Sequence, residues 1–210
     1  MKIKKKINSF IKSKDKTRLI RDKIVSRLQR IWFVIQFRNF GKNSLIESPD
    51  RIIGKKYISI GDNVRILHHM RMEATDRWGE QNFSPSITIA DNVSIGQNFH
   101  IVAANDLVIG ANTTISGNVF ITDNNHEYRK IDVHILDQPL KVNKTVIGEN
   151  CFIGFGAAIQ AGTVLGKQCI VGSNAVVQGQ FEDYSVIVGC PAKVIKKYNL
   201  ESGIWESISS

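Results

Sequence analysis

An aliphatic side chain recurs at every sixth position over most of this chain. The clearest run is Ile147, Ile153, Ile159, Leu165, Val171 and Val177, and shorter runs begin at Ile60, Ile89 and Ile109. A period of six matches neither an amphipathic helix, with about 3.6 residues per turn, nor a continuous strand, whose side chains alternate with a period of about two. Each hexad therefore predicts one short strand followed by a corner, with the aliphatic side chain pointing inward.

Three hexads predict one closed turn of a parallel β-helix, with glycine and asparagine supplying the permissive backbone angles of the corners. Residues one turn apart, about 18 positions, then stack about 4.8 Å from each other. That spacing separates Cys151 from Cys169, so we expect both to be reduced core residues. Together with Cys190 they form no CxxC pair, which argues against a disulfide framework and against a structural zinc site.

The longest interruption of the repeat separates Ile121 from Ile147 and contains His126, His134 and Pro139. A segment without the repeat does not fit the coil, so we predict a loop over residues 127–145 that protrudes from the body. The repeat also sets the predicted domain boundaries. Residues 43–198 form the β-helix domain, and residues 199–210 form a C-terminal tail.

Positive charge is concentrated in a basic N-terminal arm, residues 1–42. The arm carries fourteen Lys or Arg against two Asp, whereas the whole chain has a net charge of +9. Residues 17–37 predict a helix, ended by Gly41, with one apolar face. That face is Leu19, Ile20, Ile24, Leu28, Ile31 and Ile35. Two interpretations stay open: the helix docks on an anionic membrane surface, or it packs against the β-helix and leaves a solvated cationic tail.

Several other classes of protein fit the chain poorly. No apolar run approaches the 18 or more residues that would span a bilayer, and the first residues lack the apolar region and cleavage site of a signal peptide. We therefore expect a cytoplasmic protein, with peripheral membrane contact through residues 1–42 as the alternative. No interleaved aromatics accompany the basic residues, so we expect no nucleic-acid partner.

The repeats and two further motifs resemble the hexapeptide-repeat acyltransferases, most closely the O-acetyltransferases of bacterial polysaccharide, lipopolysaccharide and capsule assembly. The resemblance covers about two thirds of the chain and rests on these segments: ISIGDNV (58–64), ITIADNVSIGQNFHI (87–101), FITDNNHEY (120–128), VIGENCFIGFGAAI (146–159), VLGKQCIVGSNAVV (164–177) and GCPAKVI (189–195). It implies an all-β fold, a left-handed parallel β-helix. It also implies a homotrimer with acetyl-CoA bound between subunits and an acceptor site closed by the protruding loop.

Acetyl transfer to a hydroxyl requires a base, and histidine suits that role because its unperturbed pKa lies near neutrality. The resemblance assigns the base to His126, the last residue of a DxxH motif that begins at Asp123. It aligns Asn98 with an acceptor-site asparagine of the family, and we expect His100, two residues later, and Asp123 to contact the acceptor as well. Asp123 or Glu127 is a candidate to orient the imidazole. We expect no metal ligands.

The resemblance also implies a set of residues that bind acetyl-CoA. Phe152, Gly154 and Phe155 correspond to positions beside the thioester, Gly172 and Ser173 to positions along the pantetheine arm, and Lys193 and Lys196 to positions near the nucleotide. The chain departs from the family pattern at Gln178 and Gly179, where relatives commonly have Thr-Lys, so no nucleotide contact is assigned there.

These features predict an acetyl-CoA-dependent O-acetyltransferase acting on a sugar hydroxyl of a surface polysaccharide or its precursor. Three alternatives stay open. They are an N-acyltransferase acting on an amino-sugar nucleotide, a γ-type carbonic anhydrase using His100, His126 and His134, and a non-enzymatic scaffold on the same fold.

Overall fold

Short strands form three sheets, which the chain visits in rotation, so that each circuit adds one parallel strand to each sheet until the last two strands, which are antiparallel. The computed structural model describes residues 24, 25, 27, 28 and 30–208. The first sheet contains Asn39–Phe40, Ile58–Ile60, Ser86–Ile89, Asp106–Ile109, Thr145–Ile147, Val164–Leu165 and Gln180–Phe181. The second contains Leu45–Ile46, Arg65–Ile66, Ser94–Ile95, Thr114–Ile115, Phe152–Ile153, Ile170–Val171, Ser185–Gly189, Ala192–Asn199 and Ile204–Ser207. The third contains Arg51–Ile53, Arg71–Ala74, His100–Ala103, Phe120–Thr122, Ala158–Ile159 and Val176–Val177.

The aliphatic residues of the hexads stack in the core, as predicted. In the last turns Ile147 pairs with Leu165 and Ile153 with Val171, which is the expected spacing of 18 residues. Between Ile89 and Ile109 the spacing is 20 residues, because two additional residues enter the turn. Inward-facing residues of all three sheets belong to one buried cluster. The repeat therefore determines which residues point inward, although the length of a turn varies.

Asparagines occupy the corner positions in a left-handed backbone conformation. Asn43, Asn63, Asn92 and Asn112 have φ values between 56° and 59°, a region that asparagine tolerates better than most residues. Their side-chain amides hydrogen-bond in series along one corner, at 3.1 to 3.2 Å. Each asparagine amide thus hydrogen-bonds the amide of the next turn, and this stack helps to fix the register between the turns.

An N-terminal helix precedes the first turn, and its described residues are 24, 25, 27, 28 and 30–36. Its described side chains are mostly exposed, but Phe33 is buried, as are Phe37 and Phe40 just beyond the helix. The rings of these three residues lie 4.9 to 5.5 Å apart and cover the open end of the core. The helix ends at residue 36, one residue before the predicted end, and the chain enters the first sheet at Asn39, before Gly41. The predicted helical residues Leu19 and Ile20, with the rest of the arm through residue 23, lie outside the described residues.

Two hairpins protrude from the coil, and a third extends one of its sheets. Arg77–Trp78 pairs with Gln81–Asn82, and Asn124–His126 pairs with Leu140–Val142 at the base of the predicted loop. At the other end, Ala192–Asn199 and Ile204–Ser207 extend the second sheet with antiparallel strands. Within the predicted tail, Ile204–Ser207 is thus a strand of the second sheet, and the sheets begin at Asn39 instead of residue 43. Short 3₁₀ turns, Lys55–Tyr57 and Ile135–Asp137, complete the structure.

Candidate functional site

A cavity of about 410 Å³ opens on the outward face of the third sheet. Inward residues such as Met72 and Ile101 alternate along these strands with outward residues, which form the floor of the cavity. The walls come from the 77–82 hairpin and from the loop hairpin, residues 124–142. The main lining residues are Arg71, Glu73, Trp78, His100, Val102, Phe120, Thr122, Asn125, His126 and Leu140.

His126 lines this cavity at the end of the strand Asn124–His126, paired across the hairpin with Leu140. Its imidazole is half-buried, and the Trp78 indole lies 4.9 Å away, centroid to centroid, at an interplanar angle of 65°. The Nδ1 atom is buried, and no group among the described residues hydrogen-bonds it. The ring is therefore held by packing, and Nε2 is the nitrogen left to act in the cavity.

His100 lies on the floor of the same cavity, with its ring 5.2 Å from that of Phe120. Its Nε2 atom is buried, and the described residues provide it with no hydrogen-bond partner. Burial lowers the pKa of His100, and the positive charge of Arg71 lowers it further. The structure thus brings His100 and His126 together in one cavity, with His100 favoured in its neutral form.

A carboxylate between two arginines forms one side of the floor. The buried Glu73 accepts hydrogen bonds from Arg71 Nε at 2.8 Å and Arg71 Nη2 at 3.0 Å, and Arg51 Nε lies 3.1 Å from its Oε1. The hydrogen bonds from Arg71 lower the pKa of Glu73. Sequence reasoning missed Arg71 and Glu73, although both flank the inward-facing Met72 and so were bound to face outward.

Asp123 and Asn98, two residues predicted to contact the acceptor, are not among the residues that line this cavity. Asp123 is fully buried, and its carboxylate accepts hydrogen bonds from the backbone N–H groups of Ala104 and Asn105, both at 2.8 Å. Burial raises its pKa. Since both oxygens are occupied in the corner, Asp123 does not orient the imidazole of His126. Asn98 sits at another corner and donates to Asn118 Oδ1 at 2.8 Å.

The residues expected to bind acetyl-CoA lie together along the second sheet, away from the cavity. Phe152 and Phe155 are 45% and 46% exposed, and the strand register continues from Phe152 through Ile170 and Val186 to Lys196. Lys193, on the same strand as Lys196, is also exposed. We call this set of seven predicted residues the donor row.

Close stacking of the backbone explains the glycine at position 154. A Cβ atom on Gly154 would lie 2.6 Å from the backbone nitrogen of Ser173 and 2.7 Å from the carbonyl carbon of Gly172. Gly154, Gly172 and Ser173 are thus contiguous in neighbouring turns. None of the donor-row residues lines the cavity around His126.

The described part of the chain contains no cluster of three His, Cys, Asp or Glu residues placed to hold a metal ion. His134 lies in the loop, where its Nδ1 accepts a hydrogen bond from the backbone N–H of Leu136, and it does not line the cavity with His100 and His126. Cys151 and Cys169 are buried, and their Sγ atoms donate to backbone carbonyls of Gly166 and Glu182, each at 3.2 Å.

Comparison with known proteins places the chain in a family. A family model described as bacterial transferase hexapeptide (six repeats) matches residues 144–179. The chain is 32% identical, over 198 residues, to the putative lipopolysaccharide biosynthesis O-acetyl transferase WbbJ of Escherichia coli K12, and the match covers 90% of this chain and 91% of that protein.

Solved structures show the same fold at lower identity. AntD, an N-acyltransferase from Bacillus cereus solved with dTDP-4-amino-4,6-dideoxyglucose and coenzyme A, has a TM-score of 0.67 at 20% identity, covering 83% of this chain and 91% of its own. Galactoside acetyltransferase in complex with coenzyme A has a TM-score of 0.51 at 20% identity, covering 85% of this chain and 76% of its own. With the hexad ladder buried as the repeat requires and a relative matched along nearly its full length, the chain belongs to the hexapeptide-repeat acyltransferases.

Proposed function

We propose that the protein is an acetyl-CoA-dependent O-acetyltransferase that acts on a sugar hydroxyl of a surface polysaccharide or its precursor. The observation that carries the proposal is His126, whose imidazole lines a cavity built by two hairpins that the coil itself does not need. The match, over 91% of its length, to a protein named as a putative O-acetyl transferase of lipopolysaccharide biosynthesis supports the choice of substrate class. Membership of this family also supports the proposal that the coil is a left-handed β-helix.

In the proposed reaction His126 acts as the general base. Its Nε2 accepts the proton of the acceptor hydroxyl, and the hydroxyl oxygen forms a bond to the carbonyl carbon of the acetyl group. The bond from that carbon to the thioester sulfur then breaks. The imidazolium then returns the proton to the departing thiolate, so the ring ends neutral. Acetyl-CoA supplies the activated acyl group. Phe152, Phe155 and the lysines of the donor row are the residues that would bind it.

A homotrimer accounts for the separation of the two halves of the site. In one chain the donor row follows the second sheet, whereas His126 lies over the third. A transfer reaction needs the two substrates in contact, and a neighbouring subunit that placed its donor row against this cavity would provide that contact. Exposed Phe152 and Phe155 are apolar side chains that such an interface would cover.

The test compares two histidines of the same region. Release of the CoA thiol is measured with a panel of methyl pyranosides and sugar nucleotides for wild type, His126→Ala and His134→Ala. We expect His126→Ala to lose a factor of about 100 or more in kcat, the usual contribution of a general base, and His134→Ala to retain wild-type activity. Activity of His126→Ala within about tenfold of wild type would refute the assignment.

The linkage formed distinguishes O- from N-acylation. An O-acetyl product releases acetate in mild alkali, whereas an amide formed on an amino sugar survives. We expect complete release, and an alkali-stable product would favour the N-acyltransferase alternative.

We further propose that the N-terminal helix contacts the anionic inner face of the cytoplasmic membrane. None of the helices among the described residues is long and apolar enough to span a bilayer. Ile31 and Ile35 are 68% and 82% exposed, and Arg27 and Arg30 lie beside this apolar surface. Apolar side chains flanked by cations suit an interface with anionic lipid headgroups.

Vesicle sedimentation tests this contact. We expect binding to phosphatidylcholine vesicles that contain phosphatidylglycerol, weaker binding in high salt, and loss of binding in the double variant Ile31→Glu with Ile35→Glu. The control Ile135→Glu alters an exposed residue of the loop and should bind as wild type does. Equal binding of the double variant and the control would contradict the proposal.

A further inference from the structure

The 77–82 hairpin is an insertion that the coil does not require. The paired residues Ile60 and Ile89 are 29 positions apart, whereas Ile89 and its partner in the next turn, Ile109, are 20 apart. The additional residues leave the body between the strands Arg71–Ala74 and Ser86–Ile89 and form the hairpin. Because the core is complete without them, their position beside His126 calls for a functional explanation.

The hairpin is tied to the strand that pairs with His126. The Gln81 side chain bonds both backbone groups of Leu140: its Nε2 donates to the Leu140 carbonyl at 3.2 Å, and its Oε1 accepts from the Leu140 N–H at 2.6 Å. The Trp78 Nε1 donates to the backbone carbonyl of Gln138 at 3.1 Å. Three hydrogen bonds therefore fix the hairpin to the segment opposite His126.

These bonds leave the indole of Trp78 in a defined orientation. Its one polar atom is satisfied by Gln138, so the part that lines the cavity is the apolar ring. The ring is half-buried and lies next to the imidazole of His126. A pyranose ring has its hydroxyl groups around its edge and apolar C–H groups on its faces. An oriented aromatic ring beside a base is therefore suited to bind one face of a sugar while a hydroxyl at its edge reaches the base.

We propose that Trp78 is the binding platform for the acceptor, on which a pyranose ring stacks with one hydroxyl directed at His126. Gln81 is a positioning residue that holds the platform against the loop hairpin. This inference rests on the proposed function for the identity of the reaction, but it concerns a separate step, the binding of the acceptor.

Steady-state kinetics test the platform. With the pyranoside of the panel that wild type acetylates fastest, Trp78→Ala should raise the acceptor KM about tenfold, which corresponds to the upper range for an aromatic contact. The KM for acetyl-CoA should not change, and Trp78→Phe should recover most of the acceptor affinity. Gln81→Ala should lower kcat together with acceptor affinity, because both the ring and the loop hairpin lose their restraint. An unchanged acceptor KM in Trp78→Ala, or an equal rise in the KM for both substrates, would refute the platform.

A binding measurement tests it without turnover. In a background carrying Trp32→Phe and Trp205→Phe, Trp78 is the one remaining tryptophan of the three in the chain. Adding His126→Ala removes catalysis, and titration with the same pyranoside should shift the fluorescence saturably, whereas sorbitol, an acyclic polyol, should not. A saturable fluorescence shift, together with activity of His126→Ala in the thiol-release assay, would refute His126 as the base but support Trp78 as the platform. Absence of a fluorescence shift, together with loss of activity in His126→Ala, would support His126 as the base but refute Trp78 as the platform.

Discussion

The carboxylate of Asp123 holds together the corner from which the loop hairpin departs. It is fully buried, and it accepts hydrogen bonds from two backbone N–H groups and, at 3.0 Å, from the side-chain amide of Asn124. A buried charge is costly unless its hydrogen bonds are complete, and here the polypeptide backbone completes them. The residue thus supports the position of His126 without contacting its ring.

Replacing Asp123 by Asn should destabilise the protein by about 1–3 kcal/mol, because an amide nitrogen would then face a backbone N–H and leave a donor unsatisfied. The free energy of unfolding from urea denaturation is the measurement. Asp137→Asn, at an exposed position of the loop, is the matched control and should be neutral. If both variants unfolded at the same urea concentration, the role assigned to the Asp123 carboxylate would be wrong.

Glu73 gives the site an acid-sensitive component. Its pKa is lowered chiefly by the hydrogen bonds from Arg71, so the ionised form is favoured in the folded state. Its contribution to stability is therefore complete above the unfolded pKa of about 4.3 and is lost as the pH falls through the lower folded value. We expect Glu73→Gln to be less stable than wild type at pH 7, with the difference shrinking below about pH 4. A difference that is constant with pH, in thermal denaturation between pH 7 and pH 3, would contradict this.

At the scale of secondary-structure elements, the sequence predicts the coil better than its insertions. The hexads predict the inward residues because burial selects an aliphatic side chain once per strand. The 77–82 hairpin has strands of two residues each, too short to produce any periodicity, and its stability comes from long-range bonds such as Gln81 to Leu140. The sequence therefore carries no signal for Trp78, whereas the DxxH motif made His126 a candidate base before its position in the cavity was known.

The N-terminal helix has one face packed against the core and one face exposed. Phe33 is 8% exposed and caps the core, while Ile35, two residues later, is 82% exposed. Side chains at adjacent turns of a helix share a face, whereas residues two apart point in nearly opposite directions. Packing of the helix against the β-helix is thus shown for the face that carries Phe33, and the exposed face that carries Ile35 remains available for the proposed membrane contact.

Phe33→Ala should lower the free energy of unfolding by about 3 kcal/mol, because it removes a buried aromatic ring from the cluster with Phe37 and Phe40. Ile35→Ala should leave stability within about 0.5 kcal/mol of wild type, as expected at an exposed position. Equilibrium denaturation of the two variants is the measurement. Equal destabilisation by both would show that the helix buries a different face.

At the scale of the whole molecule, the donor row and the cavity of one chain lie on different sheets. If each active site combines the cavity of one subunit with the donor row of the next, then two kinds of inactive subunit can restore activity to each other. The first is His126→Ala, which keeps its donor row. The second is the double variant Phe155→Ala with Lys193→Glu, which keeps its cavity and alters two exposed side chains.

Mixed in equal amounts before assembly, the two variants should recover about a quarter of wild-type activity, because random association in a ring joins an intact cavity to an intact donor row at one interface in four. Light scattering confirms that each variant alone has the mass of wild type, and the thiol-release assay measures recovery. Mixing after assembly is the control, and it should yield no recovery while the subunits do not exchange. If mixing before assembly also restored nothing, each chain would have to complete its own site, and the trimeric arrangement proposed for catalysis would be wrong.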